Sequence, residues 1–165
     1  MSAIAEFRII ERDKLEGLVA AVEPTKGKVL FWKYTTENYR PYLEKNSREL
    51  KGIDSSGYIY VNLICFLEEK LGAALDKNEL DAFGDTLTEK LHATVFLLPF
   101  SKKAEIIKKI DSAPIDINEL IAFNLAFSNH GERELAEQQL EALKVLVDNI
   151  KELSAENEVL YFFIG

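Results

Sequence analysis

Strand-like segments lie close to both ends of the sequence, and this feature constrains the fold more than any other. Residues 3–10 (AIAEFRII) and 158–165 (EVLYFFIG) are rich in isoleucine, phenylalanine and other residues of high β-propensity. Residues 28–34 (KVLFWKY) and 93–99 (ATVFLLP) have the same character, and a proline stops the second of these runs. We therefore predict four strands that share one sheet.

The segments between these strands carry apolar residues at helical spacing. About seven helices are predicted, at residues 11–23, 41–50, 58–71, 77–91, 102–110, 116–128 and 132–153. For residues 58–64 a strand is the competing interpretation, because tyrosine, isoleucine and valine also favour β structure. The interleaving predicts an α+β or α/β fold in which helices cover one sheet. We expect a single domain spanning residues 1–165.

Composition indicates a globular protein of a reducing compartment. Apolar residues make up 47% of the chain and charged residues 29%, which is typical of folded domains. Cys65 is the sole cysteine, so an intrachain disulfide is impossible. No apolar run approaches the roughly 20 residues needed to cross a bilayer. We therefore expect a soluble, cytoplasmic protein that does not enter the membrane.

Charge is distributed unevenly along the chain. Residues 1–110 hold 17 basic and 17 acidic side chains, whereas residues 111–158 hold three basic and eleven acidic ones. The second segment therefore carries the whole net charge of −8. Phosphate backbones repel such a protein, which argues against nucleic-acid binding. A charged partner is expected to be basic.

The sequence lacks the common motifs of catalytic sites. It contains no GxxxxGK[ST], GxGxxG, GxSxG or HExxH pattern. Glu89 and His92 have the Glu-x-x-His spacing of di-iron carboxylate sites, but the motif occurs once, and His92 stands where its helix is expected to end. We therefore predict no metal site and no cofactor. A non-enzymatic protein is favoured, although an enzyme working with Asp, Glu, Lys or Tyr alone is compatible with the sequence.

An aromatic-rich stretch, residues 31–42 (FWKYTTENYRPY), contains five of the 17 aromatic residues. Residues 28–34 would be apolar on both faces of a strand, so we predict a central strand with Phe31 and Trp32 in the core. The nearby tyrosines either seal the edge of the sheet or form, with a basic neighbour, a half-wet groove for an anionic or aromatic ligand. The residues of that groove would be Tyr39, Arg40, Tyr42, Tyr58 and Tyr60.

The helix predicted at residues 132–153 has the clearest amphipathic pattern. Its expected core stripe consists of Ala136, Leu140, Leu143, Val147 and Ile150, with Leu146 and Leu153 beside them. Its solvent side would present four carboxylates, those of Glu137, Glu141, Asp148 and Glu152. Such a charge run usually indicates only a solvated helix, and the functional interpretation is a docking face for a basic partner protein.

Two functional hypotheses follow from these patterns. The first is a non-enzymatic cytoplasmic binding or adaptor protein that presents the acidic C-terminal helical face to a basic protein. The alternative is a small-ligand binding domain, or a minor enzyme, that uses the tyrosine-rich groove with Arg40. A deep cavity lined by the tyrosines would favour the alternative, and a flat acidic face would favour the first hypothesis. The sequence does not indicate the oligomeric state.

Overall fold

The computed structural model describes residues 3–29, 32–53 and 55–165, with all of their side chains except those of residue 25, residues 27–29 and residues 32–36. The described part of the chain contains six strands: β1 (Ala5–Glu11), β2 (Thr25–Val29), β3 (Trp32–Thr36), β4 (Ser47–Glu49), β5 (Thr94–Pro99) and β6 (Glu158–Ile164). It contains seven α-helices: α1 (Leu15–Val22), α2 (Tyr39–Asn46), α3 (Tyr58–Leu71), α4 (Asp81–Leu91), α5 (Phe100–Ile110), α6 (Ile117–Ser128) and α7 (Arg133–Lys151). Within the described ranges, no helix has the length and apolar composition required to span a membrane.

The main sheet is antiparallel and has the strand order β4-β1-β6-β5. Its central pair joins the two ends of the sequence, with Ala5 opposite Ile164 and Glu11 opposite Glu158. β5 lies along the other side of β6, with Thr94 also opposite Ile164. The prediction of an α+β fold, with four strands in one sheet covered by seven helices, is thus confirmed.

Helices cover both faces of this sheet because its side chains alternate between two apolar cores. Phe7 and Phe162 belong to the core beneath α3, α5, α6 and α7, and their rings stack with centroids 4.2 Å apart. Ile10 and Tyr161 belong to the core beneath α1, α2 and α4. We call the two sides the four-helix face and the three-helix face. The sheet therefore separates any groups that lie on opposite faces.

Side chains from the segment around α4 cover the outer edge of β5. Asn78 Nδ2 donates to the Leu97 carbonyl at 3.0 Å, and the Val95 amide donates to Thr88 Oγ1 at 3.0 Å. This helix was predicted to start at residue 77, which is four residues too early. The main-chain N–H of Asn78 instead donates to the carboxylate of Asp81, the first residue of α4. The bonds to Leu97 and Val95 use main-chain groups at the edge of β5 that would otherwise be free to pair with another strand.

The predicted central strand at residues 28–34 is wrong. β2 and β3 form a separate two-stranded antiparallel ribbon in which Val29 pairs with Trp32, so the chain direction reverses within the predicted strand. A segment that is apolar on both faces resembles a buried central strand, and apolar periodicity does not reveal a reversal of the chain. The predicted burial of Phe31 and Trp32 lies outside the residues and side chains that the structure describes.

The fourth position in the main sheet belongs to β4, which was predicted as the end of a helix at residues 41–50. The backbone becomes extended at Ser47, with φ −140° and ψ 160°, and Ser47 pairs with Ile10. Arg8 Nε donates to Ser47 Oγ at 2.7 Å and fixes this strand against β1. The sequence Ser-Arg-Glu has little β-propensity, so tertiary pairing with β1 decides its conformation.

Candidate functional site

The orientation of α7 determines which of its charged side chains face solvent. Its buried residues are Ala136, Gln139, Ala142, Leu146, Asn149 and Ile150. Of the predicted core stripe, Leu140, Leu143 and Val147 are only half-buried. At about 100° per residue, the centre of the buried side is rotated by about 75° from the predicted position.

Two buried amide side chains explain this rotation. Gln139 lies against Asn124 of α6, and the two amides exchange hydrogen bonds of 2.7 and 3.1 Å with no exposed surface on Asn124 or Gln139. Asn149 Nδ2 donates to the main-chain oxygen of Lys51 at 2.8 Å. Satisfied amides can be buried at a small net cost. A hydrophobic pattern assigns glutamine and asparagine to the solvent side and therefore misplaces the helix.

All four carboxylates predicted to face solvent are exposed: Glu137, Glu141 and Asp148 on α7, and Glu152 at its C-cap. We call these four residues the acidic face. Their spacings of four, seven and four residues place them within an arc of about 60° on the helix. Glu137 pairs with Arg133 at 2.9 Å, and Glu152 pairs with Arg48 at 3.2 Å. Among the side chains that the structure describes, no cation lies within ion-pair distance of Glu141 or Asp148.

Basic residues border the acidic face along one side. Arg133, Lys144 and Lys151 are exposed and lie about 20–40° from Glu137 around the helix axis. Glu134 lies along the opposite margin and is also exposed. The exposed side of α7 therefore carries a row of basic residues beside a larger row of acidic residues. A charged partner would meet an electric field with a defined direction.

Tyr39 and Arg40 lie on the three-helix face, where their polar groups are already engaged. The Tyr39 hydroxyl shares a short hydrogen bond with that of Tyr161, and burial raises the pKa of both hydroxyls. Arg40 Nη1 contacts Glu6 at 2.5 Å, and its guanidinium lies 5.7 Å from the ring centroid of Phe163. Arg8 Nη1 also contacts Glu6, at 2.8 Å. These contacts hold α2 on the sheet and leave the Arg40 guanidinium paired with a carboxylate that it shares with Arg8.

The other three tyrosines of the predicted groove are dispersed. Tyr42 is half-buried on the three-helix face, and its hydroxyl donates to the Lys14 carbonyl at 3.1 Å. Tyr58 and Tyr60 belong to α3 on the four-helix face, where Tyr58 is 60% exposed and Tyr60 has no exposed surface. The sheet therefore lies between Tyr39 and Tyr42 on one side and Tyr58 and Tyr60 on the other. The structure does not bring the five residues of the predicted groove together: Tyr39, Arg40, Tyr42, Tyr58 and Tyr60.

Tyr60 has an unusual environment for a hydroxyl group. Its ring packs edge-on against Phe7 and Phe162, with centroid distances of 5.4 and 5.0 Å. Its buried hydroxyl has no hydrogen-bond partner within the part of the chain that the structure describes, and burial raises its pKa. An unsatisfied buried hydroxyl is destabilising.

Substitution of Tyr60 by phenylalanine should therefore preserve or increase stability. We expect Tyr60→Phe to raise the free energy of unfolding by about 1 kcal/mol, because it removes the buried hydroxyl and keeps the ring. Urea denaturation followed by circular dichroism measures the change. A decrease of similar size would show that the hydroxyl has a partner and that Tyr60 is more than a core aromatic.

The helix that carries Glu89 ends one residue before His92. His92 follows Leu91 with a left-handed backbone, φ 51°, and its side chain is exposed. This confirms the prediction that His92 stands at a helix end. Over the ranges that the structure describes, no group of three or more His, Cys, Asp or Glu side chains is positioned to hold a metal ion.

Comparisons with family models, curated proteins and solved structures found no match to this chain. Function is therefore inferred from the charges and geometry of its own residues.

Proposed function

We propose that this protein is a non-enzymatic binding or adaptor protein that presents the acidic face of α7 to a basic partner protein. The observation that carries the proposal is the exposure of all four carboxylates of the acidic face on one side of α7 and its C-cap residue, Glu152. Two of them, Glu141 and Asp148, have no cation within ion-pair distance among the described side chains. An unpaired carboxylate is available to a partner without breaking an internal ion pair.

The charge of the surrounding segment supports a protein partner. Residues 111–158 carry a net charge of −8, and this segment contains α6 and α7. A field of this sign raises the encounter rate with basic proteins and opposes contact with nucleic acids. The single cysteine, Cys65, is free and half-buried, which is compatible with the cytoplasmic location that we include in the proposal.

The alternative function receives no support from the geometry. A ligand groove built from the tyrosines would require Tyr39 and Tyr60 on one surface, whereas they are buried on opposite faces of the sheet. Arg40, which would bind an anion in such a groove, is already paired with Glu6. The acidic face is therefore the better candidate.

Charge reversal on the acidic face tests the proposal. A variant with Glu137, Glu141 and Asp148 changed to lysine should lose the proteins that the wild type captures from an extract of its source cells at low salt. Stability should change by at most about 0.5 kcal/mol per site, because exposed charges outside special features contribute little. Quantitative mass spectrometry of the captured proteins, together with thermal denaturation, measures both effects.

A control variant separates position from net charge. Glu44, Asp85 and Glu89 are exposed on helices of the three-helix face, and their reversal to lysine also changes the formal net charge from −8 to −2. This control should keep the captured partner. Equal loss in both variants would show a non-specific charge effect and would contradict the proposal.

A further inference from the structure

A groove of about 730 Å³ separates the N-terminal half of α3 from the turn between α6 and α7. Its lining includes Tyr58, Val61, Asn62, Ser128, Glu132 and Glu134. Tyr58 is 60% exposed and Val61 is 39% exposed, so a large apolar wall stands open to solvent. The groove combines this apolar wall with polar groups whose hydrogen-bonding roles can be assigned.

The hydrogen bonds beneath the groove have a fixed direction. Ser128 Oγ donates to the main-chain oxygen of Asn124 at 3.1 Å, so it accepts from Asn62 Nδ2, which lies 2.7 Å away. Asn62 Nδ2 also donates to Asn124 Oδ1 at 3.2 Å, and Asn124 Oδ1 accepts a second bond from Gln139. Both hydrogens of the Asn62 amide are therefore in use. A flipped Asn62 would place its oxygen against the acceptor Asn124 Oδ1.

This network leaves Asn62 Oδ1 as an acceptor in the groove. It accepts no hydrogen bond from any described residue. The rim adds the exposed carboxylates of Glu132 and Glu134, of which Glu132 lies 3.5 Å from His130 Nδ1. These acceptors can receive hydrogen bonds from the donors of a ligand, and two carboxylates favour a positively charged one.

We propose that this groove holds an arginine side chain of the basic partner protein, a proposal that rests on the function proposed above. The guanidinium would lie against the Tyr58 ring and donate to Asn62 Oδ1 and to the rim carboxylates. Its aliphatic stem would cover Val61. One arginine in such a groove would anchor the partner, while the acidic face sets its orientation.

Arginine fits this set of groups better than lysine does. Guanidinium is planar, offers five donors in a fixed fork, and stacks on aromatic rings. Its geometry also suits paired contact with carboxylates. An ammonium group is more strongly hydrated and meets the separate acceptors less well.

Titration with capped arginine tests the groove in the intact protein. In nitrogen-15 NMR spectra, N-acetyl-arginine methylamide should shift the backbone amides of Tyr58, Asn62 and Ser128 in a saturable manner. The expected dissociation constant is about 1–10 mM, the range for a ligand of this size. The neutral isostere N-acetyl-citrulline methylamide should not saturate, and capped lysine should bind more weakly.

Substitutions locate the binding. Tyr58→Ala should weaken capped arginine about two- to fivefold through loss of stacking. The pair Glu132→Gln and Glu134→Gln should weaken it about tenfold through loss of charge-assisted bonds. The lysine triple variant of Glu137, Glu141 and Asp148 should weaken capped arginine less than the Glu132 and Glu134 pair does, because only Glu137 lies within one helical turn of Glu134 and the more distant charges are screened at physiological ionic strength. Thermal denaturation of each variant establishes that it is folded.

Each outcome bears on a single proposal. Saturable shifts at the groove that weaken in the groove variants support the arginine site. Absence of saturation at about 50 mM, equal shifts with citrulline, or shifts confined to the acidic face would overturn it. If the lysine triple variant still captured the partner, the proposed function would be rejected, but the titration with capped arginine would be unaffected. Failure of the proposed function and failure of the arginine site are therefore distinguishable.

Discussion

Replacement of Leu146 by alanine should lower the free energy of unfolding by about 2–5 kcal/mol. Leu146 has no exposed surface and lies in the core of the four-helix face. Truncation of a buried leucine removes its transfer free energy and leaves a cavity that neighbouring groups fill only in part. Urea denaturation of the variant measures the loss.

Leu143 supplies the matched control, because it lies on the same helix and was predicted to face the core. It is only half-buried, so Leu143→Ala should cost less than half as much as Leu146→Ala. The reverse ranking would mean that α7 has the orientation predicted from the sequence. The position of the acidic face relative to the groove would then be different.

Loss of the buried amide pair should have the second largest effect. Gln139→Met keeps a similar volume but leaves Asn124 Nδ2 without its acceptor in an environment with no solvent. We expect the free energy of unfolding to fall by about 1–3 kcal/mol, the cost of leaving a buried polar group unsatisfied. Chemical denaturation monitored by circular dichroism tests this value.

A double-mutant cycle separates this pair from simple packing. Asn124→Leu alone leaves the Gln139 amide without its hydrogen-bond partner. The double variant with Gln139→Met removes both amides, so it leaves fewer unsatisfied polar groups than the two single variants together. The combined loss should therefore be smaller than the sum of the single losses by about 1 kcal/mol or more. Additive losses would show that the two amides do not act as a pair.

Much of the fold was predictable because its signals are local and periodic. The helices at α3, α5, α6 and α7 repeat apolar residues at helical spacing, and β1, β5 and β6 are short runs of high β-propensity. β4 was not predictable, because three polar residues form a strand only through pairing with β1. The ribbon of β2 and β3 was not predicted, because the continuous run of aromatic and aliphatic residues there is also typical of a single buried strand.

The candidate site was predictable to a smaller extent. The exposure of Glu137, Glu141, Asp148 and Glu152 follows from their spacing and withstands an error of about 75° in helix orientation. The groove at Asn62 was missed, since its signal is one asparagine in the apolar N-terminal half of α3. This asparagine contacts Asn124 and Ser128, which are distant in the sequence. The tyrosines were grouped because they are close in sequence, whereas the sheet separates Tyr39 from Tyr60.

The most direct test of the acidic face is the association rate of the captured partner as a function of ionic strength. The Debye length falls from about 30 to 3 Å between about 0.01 and 1 M salt, which removes long-range attraction. Over this range, the wild-type rate constant should fall at least about tenfold. The variant with Glu137, Glu141 and Asp148 changed to lysine should associate slowly at low salt and show a nearly flat dependence. Equal rate constants and equal salt dependence for the two proteins would contradict binding through the acidic face.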